Sequence, residues 1–174
     1  MALRPIIRLG DPILRAVAAP IVDPTDPELA RLLADMAETM QAANGVGLAA
    51  PQVASGLRAI VWRPIAVRGE SSDQIVGLLN PELIPLSDVR ELGAEGCLSI
   101  PELRGLVPRF ARVGLSGIDL AGNRVEREAT GFEARILQHE VDHLDGVVYL
   151  DRMTDMASLG YGPELDAARE GETL

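Results

Sequence analysis

"GFEARILQHEVDHLDG", residues 131–146, contains both histidines of the chain, His139 and His143. Phe132, Ile136, Leu137, Val141 and Leu144 recur at helical spacing and cover more than one face, which predicts a buried helix stopped by Gly146. Four residues apart on such a helix, the two imidazoles stand on one face, one turn from each other. With Glu140 beside the first, HEVDH matches the H-E-x-x-H pattern, in which two imidazoles grip a metal ion and the carboxylate serves as a base. The competing reading is a surface helix whose histidines pair with Asp142 and Asp145. The apolar flanks argue against it, because buried histidines need partners. Histidines that hold a metal are expected to be neutral, with the second ring nitrogen held by an acceptor.

Upstream of this helix the chain reads mostly as strands. "LRAIVWRPI" (57–65), "QIVGLLNPELIPL" (74–86) and "EGCLSIPELRGLVPRFARVGLSGIDL" (95–120) have strand character, with prolines at strand ends or edges. "GNRVEREATG" (122–131) alternates and follows a Gly-Asn turn, which predicts a hairpin. An amphipathic helix is expected after Asp26, a capping residue, and Pro27, which suits the first turn. Its stripe is Leu29, Leu32, Leu33, Met36, Ala37 and Met40, and Asn44-Gly45 ends it. Residues before it, rich in proline, read as extended chain with turns. Helix, several strands, helix predicts an α+β fold: antiparallel strands packed around a central buried helix that carries H-E-x-x-H.

Composition excludes several classes of function. All basic residues are arginine, so neither a Schiff-base lysine nor a Walker A lysine is available. The net charge is −10, and without a basic patch direct nucleic-acid binding is not expected. No apolar run approaches the length that spans a bilayer, and no charged leader precedes an apolar stretch, so neither membrane insertion nor a signal peptide is expected. The length of 174 residues suits one domain. With one cysteine, Cys97, no internal disulfide can form, and the thiol is either core filler or a reactive thiolate.

A catalytic metal usually has three protein ligands and one open position. Downstream of His143 there is no histidine, Asp145 is too close, and Glu164 lies in a segment broken by Gly160 and Gly162. A cysteine ligand is the remaining option, and Cys97 in "EGCLS" is the candidate.

Three motifs now stand together: "GVGLAAPQ" (45–52), "EGCLS" (95–99) and "QHEVDHLDG" (138–146). In sequence, order and spacing they resemble the peptide deformylase family, metalloenzymes that remove the formyl group from the N-terminal methionine of nascent proteins. "GDPILR" near the start and "IPELRGLVPR" after the cysteine are similar too. The resemblance runs from about residue 5 to 153, implying a catalytic domain over residues 1–153 and a short acidic tail over 154–174. It implies that Cys97, His139 and His143 hold one metal ion per chain and that Glu140 is the general acid/base. Gln52 and the backbone N–H of Leu98 would stabilise the oxyanion. Ferrous iron is the ion it implies, with zinc, nickel or cobalt as replacements compatible with two imidazoles and a thiolate.

N-formylmethionyl peptides are the implied substrate, in the cytoplasm of a bacterial-type cell or in an organelle after processing. Gly45, Val46, Gly47 and Gly96 would border the extended peptide, Val46, Phe132 and Ile136 would line a methionine pocket, and Arg104 would lie near the peptide path. For the pocket residues plain core packing competes. Glu95 and Arg109 are read as a supporting pair. The chain departs from the family at Arg135, where many members have an apolar residue bordering the substrate pocket, and at Gly93, small for a pocket wall. Arg135 either borders the pocket mouth or points to solvent. Its tail is acidic where some members carry a basic helix for transient ribosome docking. Competing readings are a zinc peptidase, a metal-binding homologue without catalysis, and an acidic binding module with a chance motif.

Overall fold

The computed structural model describes residues 2–65 and 74–171. Before the first helix, Pro12–Arg15 form one 3-10 turn capped by the Asp11 side chain, where the sequence reads as extended chain. Helix α1 spans Pro27–Ala42, with Asp26 accepting from the Glu28 N–H and Pro27 at the first position. Leu29, Leu32, Leu33, Met36 and Met40 are buried. They pack on Leu48, Val61 and Leu79 of the sheet.

The described residues then form eight strands: β1 Gly47–Ala49, β2 Ala59–Trp62, β3 Val76–Pro85, β4 Arg90–Cys97, β5 Ile100–Phe110, β6 Arg112–Ile118, β7 Arg124–Thr130 and β8 Gly160–Tyr161. They form two antiparallel sheets, one ordered β1-β2-β3-β6-β7 and the other β4-β5-β8. The architecture is α+β. The expected hairpin is β6–β7, closed through Asp119 and Asn123. Proline inside β3 is tolerated because the pairing slips between Leu79 and Glu82. There Asn80 adopts φ +47 and its amide bonds both the N–H and the carbonyl of Ile21.

Helix α2, Gly131–Leu144, carries HEVDH and packs against β1, β2, β3, β5, β6 and β7. Its apolar side chains Ile136, Leu137 and Leu144 join Trp62, Leu78, Val113 and Leu115 in one core cluster. The buried Trp62 indole donates to Glu133 at 3.1 Å, which satisfies a polar atom that burial would otherwise leave unpaired. Phe132, counted above in the buried stripe, is 53% exposed. It sits in the first turn of α2, where the helix emerges from the sheets, so the periodicity overreaches there. Gly146, at φ +72, follows the helix end, and an added Cβ would collide with the Arg15 carbonyl. Helix α3, Tyr149–Arg152, follows, and then α4, Gly162–Gly171. The sequence reads Gly160 and Gly162 as breakers. In the fold, Gly160 belongs to β8, which pairs with Leu103 and Arg104 of β5, and Gly162 opens α4. Of the segment 154–174, residues 172–174 lie outside the described residues.

Candidate metal centre

Strand β4 and helix α2 bring the site together. The β4–β5 register shifts between Gly96 and Cys97, so Cys97 pairs with Ile100 across a tight turn. That turn delivers the sulfur to the face of α2 that carries the histidines. The donor atoms of Cys97, His139 and His143 all lie within 4.8 Å of one another. Cys97 Sγ is 3.3 Å from His143 Nε2. Three soft-to-intermediate donors around one point match a metal seat with an open position.

The surroundings orient these donors. His139 Nδ1 bonds Glu95 Oε2 at 2.9 Å. Arg109 holds the same carboxylate in a bidentate fork, Nε to Oε1 at 2.8 Å and Nη2 to Oε2 at 3.0 Å. Burial alone would raise the Glu95 pKa, but the bonds from His139 and Arg109 pull it down to about 2. An ionised carboxylate only accepts, so the proton sits on Nδ1 and His139 turns Nε2 toward the site. Burial alone would lower the His139 pKa. Hydrogen bonds to Cys97 and Glu95 and the charge of Glu140 outweigh it and raise it to about 10. Burial, joined by the charges of His139 and Arg109, pushes His143 well below its ordinary value, leaving a neutral imidazole. The expected acceptor behind each ring is present for His139 only. His143 Nδ1 is buried without a hydrogen-bond partner among the described residues.

The carboxylates first weighed as surface partners of the histidines lie elsewhere. Asp142 bonds Arg109 and Arg152, at 2.6 and 2.7 Å, and Asp145 bonds Arg58 at 2.7 Å.

Glu140 is buried beside the donors. Desolvation raises its pKa to about 7, against the opposing charge of His139. One oxygen, Oε2, has no hydrogen-bond partner among the described residues. Its room comes from Gly47 on β1, since any Cβ there would collide with the Glu140 carboxylate. Gln52, also buried, accepts from the Ala49 N–H through Oε1 at 2.9 Å. That bond fixes the amide, and its Nε2 points at Cys97 Sγ, 3.4 Å away, and Ser99 Oγ, 3.3 Å away.

A cleft of about 830 Å³ opens over these groups. It is lined by every residue placed in the expected site except His143, which is wholly buried; Gly93, read as a pocket-wall position, lies under Arg135 and does not line it, nor does Arg109. Gly45, Val46, Gly47 and Gln52 form one wall, Gly96, Cys97, Leu98 and Arg104 another, and Phe132, Ile136, His139 and Glu140 the third. Phe132 is exposed into this cleft rather than packed in the core, whereas Ile136 serves both. Arg135 also lines it and does not point to solvent. Sequence reasoning missed Ser99, the partner of Gln52, and Tyr149, whose ring stacks on His139 at 6.2 Å. It also missed Tyr161–Glu164, which complete the cleft rim. Only Ser99 had a signal, its place in "EGCLS".

The family model described as polypeptide deformylase matches residues 3–158. The chain belongs to the polypeptide deformylase family. Deformylase membership makes it a hydrolase. It is 48% identical to peptide deformylase 1 of Bordetella pertussis, over 92% of this chain and 96% of the relative. It is 44% identical to the peptide deformylase of Roseiflexus castenholzii, over 98% and 100%. Among solved structures, the class I type b peptide deformylase of Acinetobacter baumannii bound to Met-Ala-Ser superposes with a TM-score of 0.80. The identity is 39%, covering 87% of this chain and all of that one. The Thermotoga maritima peptide deformylase gives 0.81 at 36% identity, covering 89% and 100%.

Proposed function

We propose that this chain hydrolyses the N-terminal formyl group of N-formylmethionyl peptides, releasing formate, with one cation held by Cys97, His139 and His143. The observation that carries the reading is the convergence of these three donors beside Glu140 and Gln52. Family membership makes the zinc-peptidase alternative unnecessary. Among the described residues no acidic side chain joins the donor group in place of Cys97.

Formamide hydrolysis needs an activated water, a stabilised oxyanion and a protonated leaving amine. A bound divalent cation would supply Lewis acidity and lower the pKa of water. Glu140, buried and titrating near neutral pH, takes the proton from the attacking water and passes it to the departing amine. Gln52 Nε2 and the Leu98 N–H donate to the developing oxyanion. As a neutral amide, Gln52 does so without competing for the cation. Gln52→Leu is expected to lower kcat about 100- to 1,000-fold, with metal content unchanged when measured by elemental analysis.

The peptide adds alongside Gly45–Gly47. Strand β1 is the edge of its sheet, so an extended chain can pair with it. Val46, Phe132 and Ile136 receive the methionine side chain, Gly96 lets the substrate backbone approach, and Arg104 lies on the path beyond. In this reading α2 is the central buried element, and the amphipathic α1 packs on β1 and β2. Residues 1–153 form the catalytic domain, and the segment from 154 borders the cleft. That segment carries one arginine against five carboxylates, so it is not itself a basic surface for ribosome docking. Ferrous iron is the proposed ion, with zinc, nickel or cobalt as substitutes, and a cytoplasmic or organellar site of action fits nascent-chain substrates. No helix among the described residues is long and apolar enough to cross a membrane.

The test is anaerobic purification with metal analysis, then assay of a formyl-Met peptide and its unformylated twin. Formate release from the first without peptide-bond cleavage in the second is the expected result. Cleavage of the second, or no formate from metal-loaded protein, would overturn the reading.

A further inference from the structure

We infer that Arg135 and Gly93 form one positioning device: a guanidinium seated where Gly93 has no side chain fixes helix α2 against strand β4 and locks Glu95 beneath His139. The inference rests on the reading of His139 and Cys97 as metal ligands.

Arg135 lies one helical turn before His139, so the two side chains share a face of α2. Its side chain is only 11% exposed. Nη1 donates to Glu95 Oε1 at 2.8 Å and to the Val107 carbonyl at 2.7 Å, and it lies 3.3 Å from the Gly93 carbonyl. Nη2 donates to the Glu91 carbonyl at 2.7 Å. One side chain thus spans from the helix that bears both histidines to the backbone of β4, which bears Cys97, and of its neighbour β5. It also approaches Glu95 from the helix side, while Arg109 approaches from β5. Held from two directions, the carboxylate keeps Oε2 facing His139 Nδ1.

Gly93 makes this possible. A Cβ there would lie 2.7 Å from Arg135 Nη2, 2.9 Å from Cζ and 3.0 Å from Nε. The guanidinium therefore rests flat on the glycine backbone. What a methyl group would strike is the end of a flexible side chain, not backbone, so Gly93→Ala evicts the head group without unfolding β4. Gly93 and Arg135 thus act as one unit. Gly93→Ala and Arg135→Met should have the same consequence, and the second should add nothing once the first is made.

The experiment compares zinc-loaded wild type, Arg135→Met, Gly93→Ala and the double variant. Zinc release to excess chelator, kcat and KM on a formyl-Met peptide, and the melting temperature of each metal-free protein are measured. Each single variant is expected to release zinc about tenfold faster and to lose about tenfold in kcat, the usual effect of loosening a ligand's outer partner. KM should move little, and the double variant should match Arg135→Met. The inference is overturned if either single variant retains zinc as wild type does, or if the two effects multiply. It is equally overturned if zinc loss tracks a collapse of the metal-free melting temperature, which is what packing alone would give. Wild type that holds zinc but releases no formate would sink the deformylase reading alone, and the zinc-release comparison would still judge the pair.

Discussion

Glu140→Ala is expected to lower kcat about 100- to 10,000-fold, the range for removing a positioned acid/base, while bound metal stays at wild-type level. The carboxylate is not one of the three converging donors, so the cation seat survives its loss. The proton-transfer role proposed for it follows from where it lies. Burial lifts its pKa to about 7, so it can both take and return a proton near neutral pH. Its unpartnered Oε2 leaves a lone pair uncommitted to structure. Glu140→Gln keeps the volume over Gly47 and removes only the proton acceptor, so it should fall as far as the alanine variant. Formate released per bound metal ion is the measurement. If either variant kept more than about a tenth of the wild-type rate, proton transfer would have to be assigned to another group.

Much of this site could be read from the residues in order, because its signals are local. The i, i+4 spacing of His139 and His143 is a property of one helix. Asp26, Pro27 and Asn44 act within a turn of the ends of α1. The role proposed for Gln52 rests on a motif, but its orientation depends on the Ala49 N–H and on Ser99, which meet it only through folding. Cross-strand geometry was the least visible. Glu95 and Arg109 were read as a pair, but their fork exists only because β4 and β5 pair in one register, Glu91 with Arg109 and Glu95 with Gly105. Periodicity reports which face of a strand is buried and says nothing of register. Arg135 stayed open between the pocket mouth and solvent for the same reason. Its acceptors lie 28 to 44 residues away, and a charged residue on an apolar helix reads equally well as solvated. The C-terminal segment was opaque because a strand of two residues has no period, and its glycines look like breakers until the edge of β5 is there to pair with.

Arg109→Met is expected to be the most destabilising of the substitutions considered, by about 3 kcal/mol. Removing one partner from a buried ion pair typically costs about 3–5 kcal/mol, because the remaining charge is left without compensation. Arg109 is almost fully buried and serves two carboxylates, Glu95 and Asp142. The lower end applies because neither is stranded: Glu95 keeps Arg135 and His139, and Asp142 keeps Arg152. For a chain of this size the loss corresponds to a fall of roughly 10 °C in melting temperature. Acid makes the same argument by a second route. Glu95 titrates at about 2 in the folded chain against an ordinary value of 4.5. A depressed carboxyl contributes stability that is complete above its unfolded value and is lost as pH falls through its folded one. Wild type should therefore lose stability between about pH 4.5 and 2 through this group. In Arg109→Met the Glu95 pKa rises toward its ordinary value, so part of that loss is already present at neutral pH and the decline with acid is shallower. Denaturant melts of both proteins across that range measure the two slopes. Parallel slopes, with a neutral-pH difference below about 1 kcal/mol, would mean that the cluster behaves as a solvated surface pair and that Arg109 does not hold Glu95 in place.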